Sequence, residues 1–410
     1  MKHLLTIFSV LIMALKIVYM KWSLLFLFGL FPAVSMSQTE SPLSVAERMA
    51  DHVMQGHNHD LYEDSLGHCH IKSYYQEWRY VNGVLGLGMQ ELAKSTGKAE
   101  YRQFVSENFA FFFNPKIQQR LKHDYDQGLR DYGYHRFFTM GSLDDCGAMG
   151  ASLAQLWSDD RGHEEYANYL ERIAQYILHE QTRMTGGVYC RGKEPQRTVW
   201  ADDEFMSLSF LTRYGQVSNR SDCLDTAAVM VSRFHELLVD PCTGLYWHCY
   251  YEEDGAPGVA HWGRAMGWCL LAQVLLLDAL PEQHPQRAEV LRIFRANVRS
   301  ICRYQSPSGM WHQLLDKADS YEETSCAAMF TYAVARGVTA HWLDASYRTV
   351  ALRGWEAVSD HVDKDGILKG VCMGTGISRD LPFYYSRPAP DDDVHGMGAV
   401  ILAALAVNDL

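Results

Sequence analysis

The chain has 410 residues and a formal net charge of −12, from 37 Lys and Arg against 49 Asp and Glu. Nucleic acids and anionic membrane surfaces are bound through basic faces, so this charge argues against both as partners. Hydrophobic residues form 48% of the chain and charged residues 21%, which is typical of a globular protein. The 10 Trp, 23 Tyr and 17 Phe are plentiful, and such a surplus often forms stacking surfaces for sugars or bases.

Two apolar runs occupy the first 36 residues, Leu4 to Tyr19 and Ser23 to Val34. The second run has the basic start, short apolar centre and small-residue end of a secretory signal. We therefore expect residues 1–37 to be a signal peptide, with Met20 as an alternative start. The protein would be exported to the periplasm and keep no stable membrane association after cleavage. An N-terminal membrane anchor is the competing interpretation, although each run is short for a span.

The 10 cysteines are scattered singly through helix-like segments. A disulfide-rich exported protein would cluster them into a framework, so we interpret most of them as small buried hydrophobes. Cys242 and Cys249 are the pair that could bridge, and the sequence leaves that pairing open.

Apolar positions recur with helical spacing after the leader, and no long alternating stretch indicates a sheet. In six pairs of segments, one helix is apolar nearly all round and the other is amphipathic, so the first is enclosed and the second faces solvent. The sequence thus predicts an all-α fold in which residues 38–410 form a single (α/α)6 barrel. The twelve helices are expected at about 42–56, 75–94, 98–113, 143–157, 163–181, 200–214, 219–237, 262–280, 284–302, 322–336, 343–360 and 391–408.

Six segments with acidic or aromatic residues lead directly into the helices of the predicted inner ring. They recur roughly every 57 to 69 residues, the length of a helical hairpin with its connections. Most long loops precede these helices on the same side, so loops and openings are expected to surround one pocket. The openings start at Trp78, Leu143, Trp200, Trp262, Glu322 and Asp391.

Glycine inside a helix costs roughly 0.5 to 1 kcal/mol relative to alanine, so the many glycines of these helices need a reason. Gly83, Gly147 and Gly398 are examples. Small residues let helix backbones approach one another near the barrel axis, and we expect them to serve that purpose.

Paired acids open several of these helices, among them Asp144-Asp145 and Asp202-Asp203. Two acids that face one cavity raise the pKa of one of them, which suits proton transfer at neutral pH. Helix capping is the competing explanation for each acid. Adjacent helical residues project about 100° apart, so at most one acid of each pair faces the axis.

No metal or cofactor is expected. His57, His59, His68 and His70 form the one cluster that resembles a metal site, and their spacing matches no closed zinc pattern well. The chain also has no phosphate loop, nucleophile elbow or dinucleotide fingerprint in a suitable setting.

Four motifs, in order along the chain, resemble those of glycoside hydrolase families 88 and 105, the unsaturated glucuronyl and rhamnogalacturonyl hydrolases, with family 105 the closer. The resemblance spans Trp78 to Gly398. The motifs are Trp200-x-Asp202-x-x-Phe205-Met206, Trp262-x-Arg264-x-x-Gly267-Trp268, Gly309-x-Trp311-x-Gln313 and Glu323-Thr324-Ser325-x-Ala327-x-Met329-Phe330-x-Tyr332-Ala333.

The resemblance implies an (α/α)6 barrel and a metal-free reaction on oligosaccharides left by polysaccharide lyases. The non-reducing sugar of such a substrate carries a C4=C5 double bond conjugated to its carboxylate. Enzymes of this kind hydrate the double bond, and the resulting hemiketal opens and releases the neighbouring sugar. One carboxylic acid can serve both the protonation and the activation of water.

By this resemblance, Asp202 is the general acid and base, and Asp145 matches the second acid more closely than Asp144 does. His248 matches a pocket histidine. Arg264 is the candidate cation for the substrate's carboxylate. The remaining candidates for binding substrate are Tyr80, Asp144, Trp262, Trp268 and Trp311.

Ala265-Met266 stands where the family pattern has Gly-Asn, which leaves the identity of the aglycone open.

The main alternative function is that of an inverting glycosidase acting on saturated sugars with the same barrel. An epimerase is disfavoured by the lack of paired catalytic histidines, and a non-catalytic sugar-binding protein by the joint presence of Asp202 and Asp145. The sequence does not reveal the glycan, the linkage or the oligomeric state.

Overall fold

The computed structural model describes residues 40–192 and 197–410, of which Ser41–Leu410 form one unit. The predicted signal peptide and the alternative start at Met20 lie outside the described residues, so export stays a prediction. The α-helices are α1 (Pro42–Gln55), α2 (Tyr80–Thr96), α3 (Ala99–Phe113), α4 (Pro115–Asp126), α5 (His135–Thr139), α6 (Leu143–Asp159), α7 (Glu164–Gln175), α8 (Asp202–Ser218), α9 (Ser221–Leu238), α10 (Gly263–Ala279), α11 (Arg287–Cys302), α12 (Thr324–Thr339), α13 (Arg348–Ser359), α14 (Leu381–Tyr385) and α15 (Val394–Asn408).

Six of these helices form a closed inner ring. In chain order α2, α6, α8, α10, α12 and α15 each pack against the next, and α15 packs against α2. An outer helix follows each of the first five and packs against it, in the order α3, α7, α9, α11 and α13. The sixth outer helix is α1, which packs against α15. The predicted (α/α)6 barrel is confirmed, and its first and last helices form one pair.

The burial of the helices follows their apolar patterns. Nearly every residue of α10 is buried, as expected for a helix that is apolar all round. In α7 the buried residues are Tyr166, Leu170, Ile173 and Ala174, which lie on one face, and its first turn is acidic. Three short helices, α4, α5 and α14, lie in segments that the sequence analysis assigned to long loops.

Glycine permits the close approach of the inner helices. A Cβ at Gly147 of α6 would lie 1.5 Å from the carbonyl oxygen of Met206 in α8. A Cβ at Gly83 would lie 2.4 Å from the backbone of Ala148, and one at Gly398 would lie 2.6 Å from the backbone of Val84. These distances are far below van der Waals contact. The glycines predicted to bring helix backbones together therefore do so.

Two short antiparallel ribbons lie in the loops, where no strand was predicted. The first pairs β1 (Leu61–Glu63) with β2 (Cys69–Ile71). The second joins β3 (Thr198–Trp200), β4 (Cys249–Tyr251) and β5 (Ala256–Pro257), with Trp200 opposite Cys249. Because β3 leads into α8 and β4 follows His248, this register brings Asp202 and His248 together.

The histidine cluster considered as a metal site makes other contacts. His70 pairs with Asp64 at 3.2 Å and with Asp131 at 2.6 Å, and His59 contacts Gln76 at 2.5 Å. Across the described residues, no three or more His, Cys, Asp or Glu side chains come together in a way that would hold a metal ion.

All 10 cysteines lie within the described residues, and Cys242 is a free thiol, so the possible bridge between Cys242 and Cys249 does not form. No helix in residues 40–192 and 197–410 combines the length and apolar character needed to cross a bilayer.

We expect Gly147→Ala to lower the free energy of unfolding by about 3 kcal/mol or more, because the added methyl group displaces α6 from α8. Gly162→Ala is the matched control, since a Cβ there meets only the Asp160 carboxylate, at 3.2 Å. Urea denaturation of both variants measures the difference. A Gly147→Ala protein as stable as the control would contradict the close backbone contact.

Candidate active site

The inner helices all begin at the same end of the barrel, and the side chains at their N-termini meet there. Tyr80 is the first residue of α2, Asp202 is the first of α8, and Arg264 is the second of α10. The loops that precede α8 and α10, together with the segment 370–384, contact these residues. The openings of α2, α8 and α10 therefore lie at one end of the barrel, and the pocket that they are expected to surround stays a prediction.

Asp202 and His248 form a close pair at this end of the barrel. The Nε2 atom of His248 lies 3.1 Å from the Oδ2 atom of Asp202, and the backbone amide of Ala201 donates to the His248 carbonyl at 2.9 Å. The His248 side chain is fully buried, whereas that of Asp202 is 12% exposed. Asp202 is thus the member of the pair that a substrate can reach.

The other ring nitrogen of His248, Nδ1, lies 2.9 Å from the hydroxyl of Tyr384 in α14. If this hydroxyl donates to Nδ1, the proton of the neutral ring sits on Nε2 and faces Asp202. Trp262 packs beside the imidazole, with 4.7 Å between ring centroids. Tyr384 and Trp262 therefore fix the orientation of the histidine.

The charge state of Asp202 is set by opposing effects. Burial raises the pKa of its carboxyl group. The neighbouring His248 and Arg191 lower the pKa by more than burial raises it, so the pKa lies below its ordinary value. The position at the N-terminus of α8 also favours the ionised form. Asp202 is consequently ionised at neutral pH in the unliganded site.

Arg191, which the sequence analysis did not single out, joins three elements of the site. Its guanidinium contacts Asp203 at 2.7 and 3.0 Å and Asp144 at 3.3 Å, and it lies over the Trp200 ring at 3.7 Å from the centroid. Its backbone pairs with that of Thr198, the first residue of β3, which leads into α8. Motif reading could not reveal a contact that this pairing creates.

The sequence predicted that clustered acids raise the pKa of one of them. In the structure the pKa of Asp203 is raised. Burial raises the pKa of the Asp203 carboxyl group, and the like charges of Asp144 and Asp202 add to that effect, while Arg191 opposes it. Asp202 and Asp203 face different neighbours, as their adjacent positions on a helix require. The predicted clustering is present, and its effect falls on the acid that does not contact His248.

Asp144 and Asp145 also have different surroundings. The Asp145 carboxylate accepts hydrogen bonds from the amides of Gly141 and Ser142 at 2.8 and 3.0 Å, closing a capping box at the start of α6, and it lies 3.4 Å from Arg136. Asp144 instead pairs with Arg191. The structure thus gives Asp145, the residue predicted as the second acid, a capping role, and brings Asp144 next to the Asp202 cluster.

Arg264 is a buried residue that contacts the segment 370–384. Its side chain is 1% exposed, and its guanidinium donates to the carbonyl of Met373 at 2.8 Å, to the Ser325 hydroxyl at 3.3 Å and to the Cys372 carbonyl. The Glu323 carboxylate accepts from the Cys372 amide at 2.9 Å. Arg264 and Glu323 therefore anchor the segment 370–384, and the contact of Arg264 with the substrate's carboxylate stays a prediction.

The predicted aromatic residues divide into two groups. Tyr80 packs against Trp268 at 6.1 Å between ring centroids, and Trp262 contacts His248, so these three rings adjoin the site. Trp311 is fully buried, and its indole donates to the carbonyl of Ile301 at 2.8 Å. Trp311 is therefore a core residue in this structure rather than a sugar-stacking one.

A second acid and histidine pair, not proposed from the sequence, borders the same region. Asp393 caps α15 and also contacts Nδ1 of His395, whose ring lies 5.7 Å from that of Tyr80. A Cβ at Gly374 would lie 3.3 Å from Nε2 of His395, so the segment 370–384 passes directly over this ring. Asp393, the last residue of the acidic run that starts at Asp391, therefore caps α15 and also lies beside the site.

Beneath Asp202 lies a buried acid, Glu204. Burial raises the pKa of its carboxyl group to about 8, and Gln273 donates to it at 2.9 Å. Gln273 in turn accepts from Asn297 at 3.2 Å. Glu204 is therefore protonated and neutral at pH 7, and it adds no negative charge to the site above it.

The fold is an (α/α)6 barrel, and a carboxylate at the start of one inner helix is paired with a histidine from the loop before the next inner helix. The chain belongs to Glycosyl Hydrolase Family 88, whose family model matches residues 45–410. The family that the four motifs predicted is therefore confirmed.

Similar proteins agree with this family. The chain is 27% identical over 246 residues to the unsaturated rhamnogalacturonyl hydrolase YesR of Bacillus subtilis, a match that covers 58% of this chain and 68% of that protein. It is 32% identical over 226 residues to Protein Atu3128 of Agrobacterium fabrum, covering 48% of this chain and 96% of that one. A family 105 glycoside hydrolase from C. acetobutylicum shares the fold, with a TM-score of 0.75 and 22% identity over 89% of this chain and 99% of its own.

We expect Tyr384→Phe to lower kcat about tenfold, or about 1.4 kcal/mol of activation free energy, because His248 loses the hydroxyl that orients it. Tyr385→Phe is the matched control, since the Tyr385 hydroxyl contacts Asp319 at 2.8 Å instead. Steady-state kinetics of both variants test the orienting role. Equal kcat values for the two variants would show that the hydroxyl of Tyr384 does not matter.

Proposed function

We propose that this glycoside hydrolase removes the unsaturated uronic acid from the non-reducing end of lyase-generated oligosaccharides by hydrating its C4=C5 double bond. The observation that carries the proposal is the pair of Asp202 and His248, in which one partly exposed carboxylate is held against a buried imidazole. The similarity to an unsaturated rhamnogalacturonyl hydrolase supports the same substrate class, with rhamnogalacturonyl or related uronyl oligosaccharides as the leading candidates.

In this reaction Asp202 donates a proton to C4, and water adds to C5 as Asp202 takes a proton back from that water. The net change is the addition of one water molecule, and the hemiketal formed at C5 then opens and releases the neighbouring sugar. A single acid thus serves both steps without a covalent glycosyl-enzyme bond.

Asp202 must gain a proton before the first step, because its pKa is below the ordinary value in the unliganded site. Substrate entry changes two conditions in the required direction. The sugar displaces water from the carboxylate, and its own carboxylate brings a second negative charge close by, and both effects raise the pKa of Asp202.

The charge of the substrate requires a cation. Arg264 stays the predicted one, because its Nε atom has no hydrogen-bond partner among the described residues, although its other nitrogens donate to backbone carbonyls. Arg191 is paired with Asp203 and Asp144, and it also lowers the pKa of Asp202. We therefore assign to Arg191 an electrostatic effect on Asp202, separate from the pairing predicted for Arg264.

The direct test follows the ultraviolet absorbance of the conjugated uronate when the protein is mixed with lyase-generated oligosaccharides. We expect the absorbance to fall with the wild-type protein, and Asp202→Asn to lower kcat about a thousandfold with an unchanged far-ultraviolet circular dichroism spectrum. Saturated oligosaccharides of the same composition form the second arm. Cleavage of these with no loss of absorbance in the first arm would identify an inverting glycosidase instead.

The neighbouring variants Asp144→Ala and Asp145→Ala separate the two acids of the second opening. We expect Asp144→Ala to lower kcat at least about tenfold, because Arg191 loses one of its two carboxylate partners beside Asp202. Asp145→Ala should instead lower the free energy of unfolding by about 1 to 2 kcal/mol, because the cap of α6 is lost. Kinetics and urea denaturation of both variants decide the assignment, and the opposite pattern would restore Asp145 as the second acid.

A further inference from the structure

A second cavity opens at the end of the barrel opposite to Asp202. It is enclosed by the C-terminal halves of α2, α8, α10, α12 and α15 and has a volume of about 390 Å³. This volume is within the range that small-molecule sites occupy. The cavity extends inward to Phe205, which precedes Arg213 by eight residues on α8, or about 12 Å along the helix.

The inner part of this cavity is apolar. Leu87, Leu271, Leu275 and Leu402 line it together with Phe205. The ring of Phe205 packs against Trp268 with 4.9 Å between centroids, so Phe205 separates the cavity from the active-site end. A ligand bound here therefore occupies a space distinct from the one beside Asp202.

The outer part of the cavity carries charges, and most of them are paired. Glu91 contacts Lys94 at 3.1 Å and Gln155 at 2.7 Å. Asp278 forms two hydrogen bonds with Arg336, at 2.6 and 3.1 Å. Neither pair has a charge left over for a ligand.

Arg213 is different. It forms no ion pair or hydrogen bond with any residue in the part of the chain that the structure describes, and its Nε atom is buried without a partner. The hydroxyl of Tyr332, which also lines the cavity, likewise has no hydrogen bond to a described residue. Asp409, at the exposed C-terminal end of α15, forms no ion pair with Arg213 either.

A partly buried cation without a partner lowers the stability of the fold, whereas a bound anion would supply the missing partner. The planar guanidinium matches a carboxylate through two parallel hydrogen bonds. Because Glu91 and Asp278 are paired with cations, Arg213 and Asp409 are the lining charges without an ion pair among the described residues, and a single guanidinium matches one carboxylate better than a dianion such as phosphate. The charges and the apolar inner wall together fit one class of ligand, a monoanion with an apolar body.

We propose that this cavity is a binding site for a small organic carboxylate, whose carboxylate group pairs with Arg213 and whose apolar body packs against Phe205 and the surrounding leucines. The Tyr332 hydroxyl is placed to donate a further hydrogen bond.

Isothermal titration calorimetry with hexanoate tests the site, with hexan-1-ol as the uncharged probe of the same length. We expect the wild-type protein to bind hexanoate, and Arg213→Gln to weaken that binding at least about tenfold. Asp202→Asn should bind hexanoate like the wild type, which excludes binding at the active site. Absence of hexanoate binding at millimolar concentration, equal binding by Arg213→Gln, or equal binding of hexan-1-ol would each overturn the proposal.

A stability measurement separates this role from a structural one. Because Arg213 has no partner, Arg213→Gln should unfold at the same temperature as the wild type or above it when no ligand is added. Arg336→Gln is the control, and it should unfold at a lower temperature because Asp278 loses its partner. A melting temperature of Arg213→Gln as low as that of the control would assign Arg213 a structural role and contradict the site.

Discussion

The close contact between neighbouring inner helices is the constraint on which the rest of the structure depends. At Gly147 the backbone of α6 meets the carbonyl of Met206 with no room for a side chain, and Gly83 and Gly398 repeat this arrangement around the ring. These contacts hold the six helices in one register, so their N-termini lie at one end. Asp144, Asp202 and Arg264 are distant in sequence, and each lies in the first turn of an inner helix at that end of the barrel.

The chemistry of the site depends on a balance of charges that no single residue shows. His248 and Arg191 hold Asp202 ionised, while burial keeps Asp203 and Glu204 closer to neutral. Asp202 is the acid that a substrate can reach, so a bound substrate can change its protonation. Arg264 and Glu323, although buried, contribute indirectly, because they fix the segment that passes over His395 and Trp200.

The sequence predicted the ring, its helix pairs and the family, because apolar patterns and motifs depend on local burial and residue identity. It could not choose between Asp144 and Asp145, since adjacent helical residues differ only in direction. It predicted that Arg264 and Trp311 bind the substrate, because a motif shows which residue is present but not whether its side chain is exposed. The sequence did not reveal the contacts of Arg191, because its position depends on the pairing of its backbone with Thr198.

The pairing of α1 with α15 joins segments that are more than 300 residues apart in the chain. Arg48 and His52 of α1 strengthen the junction, through the carbonyl of Asp363 and the carboxylate of Asp392, each 2.9 Å away. During synthesis α1 leaves the ribosome long before its partner exists, so its apolar face stays uncovered until α15 arrives. The ring can therefore close only after the last inner helix has been made.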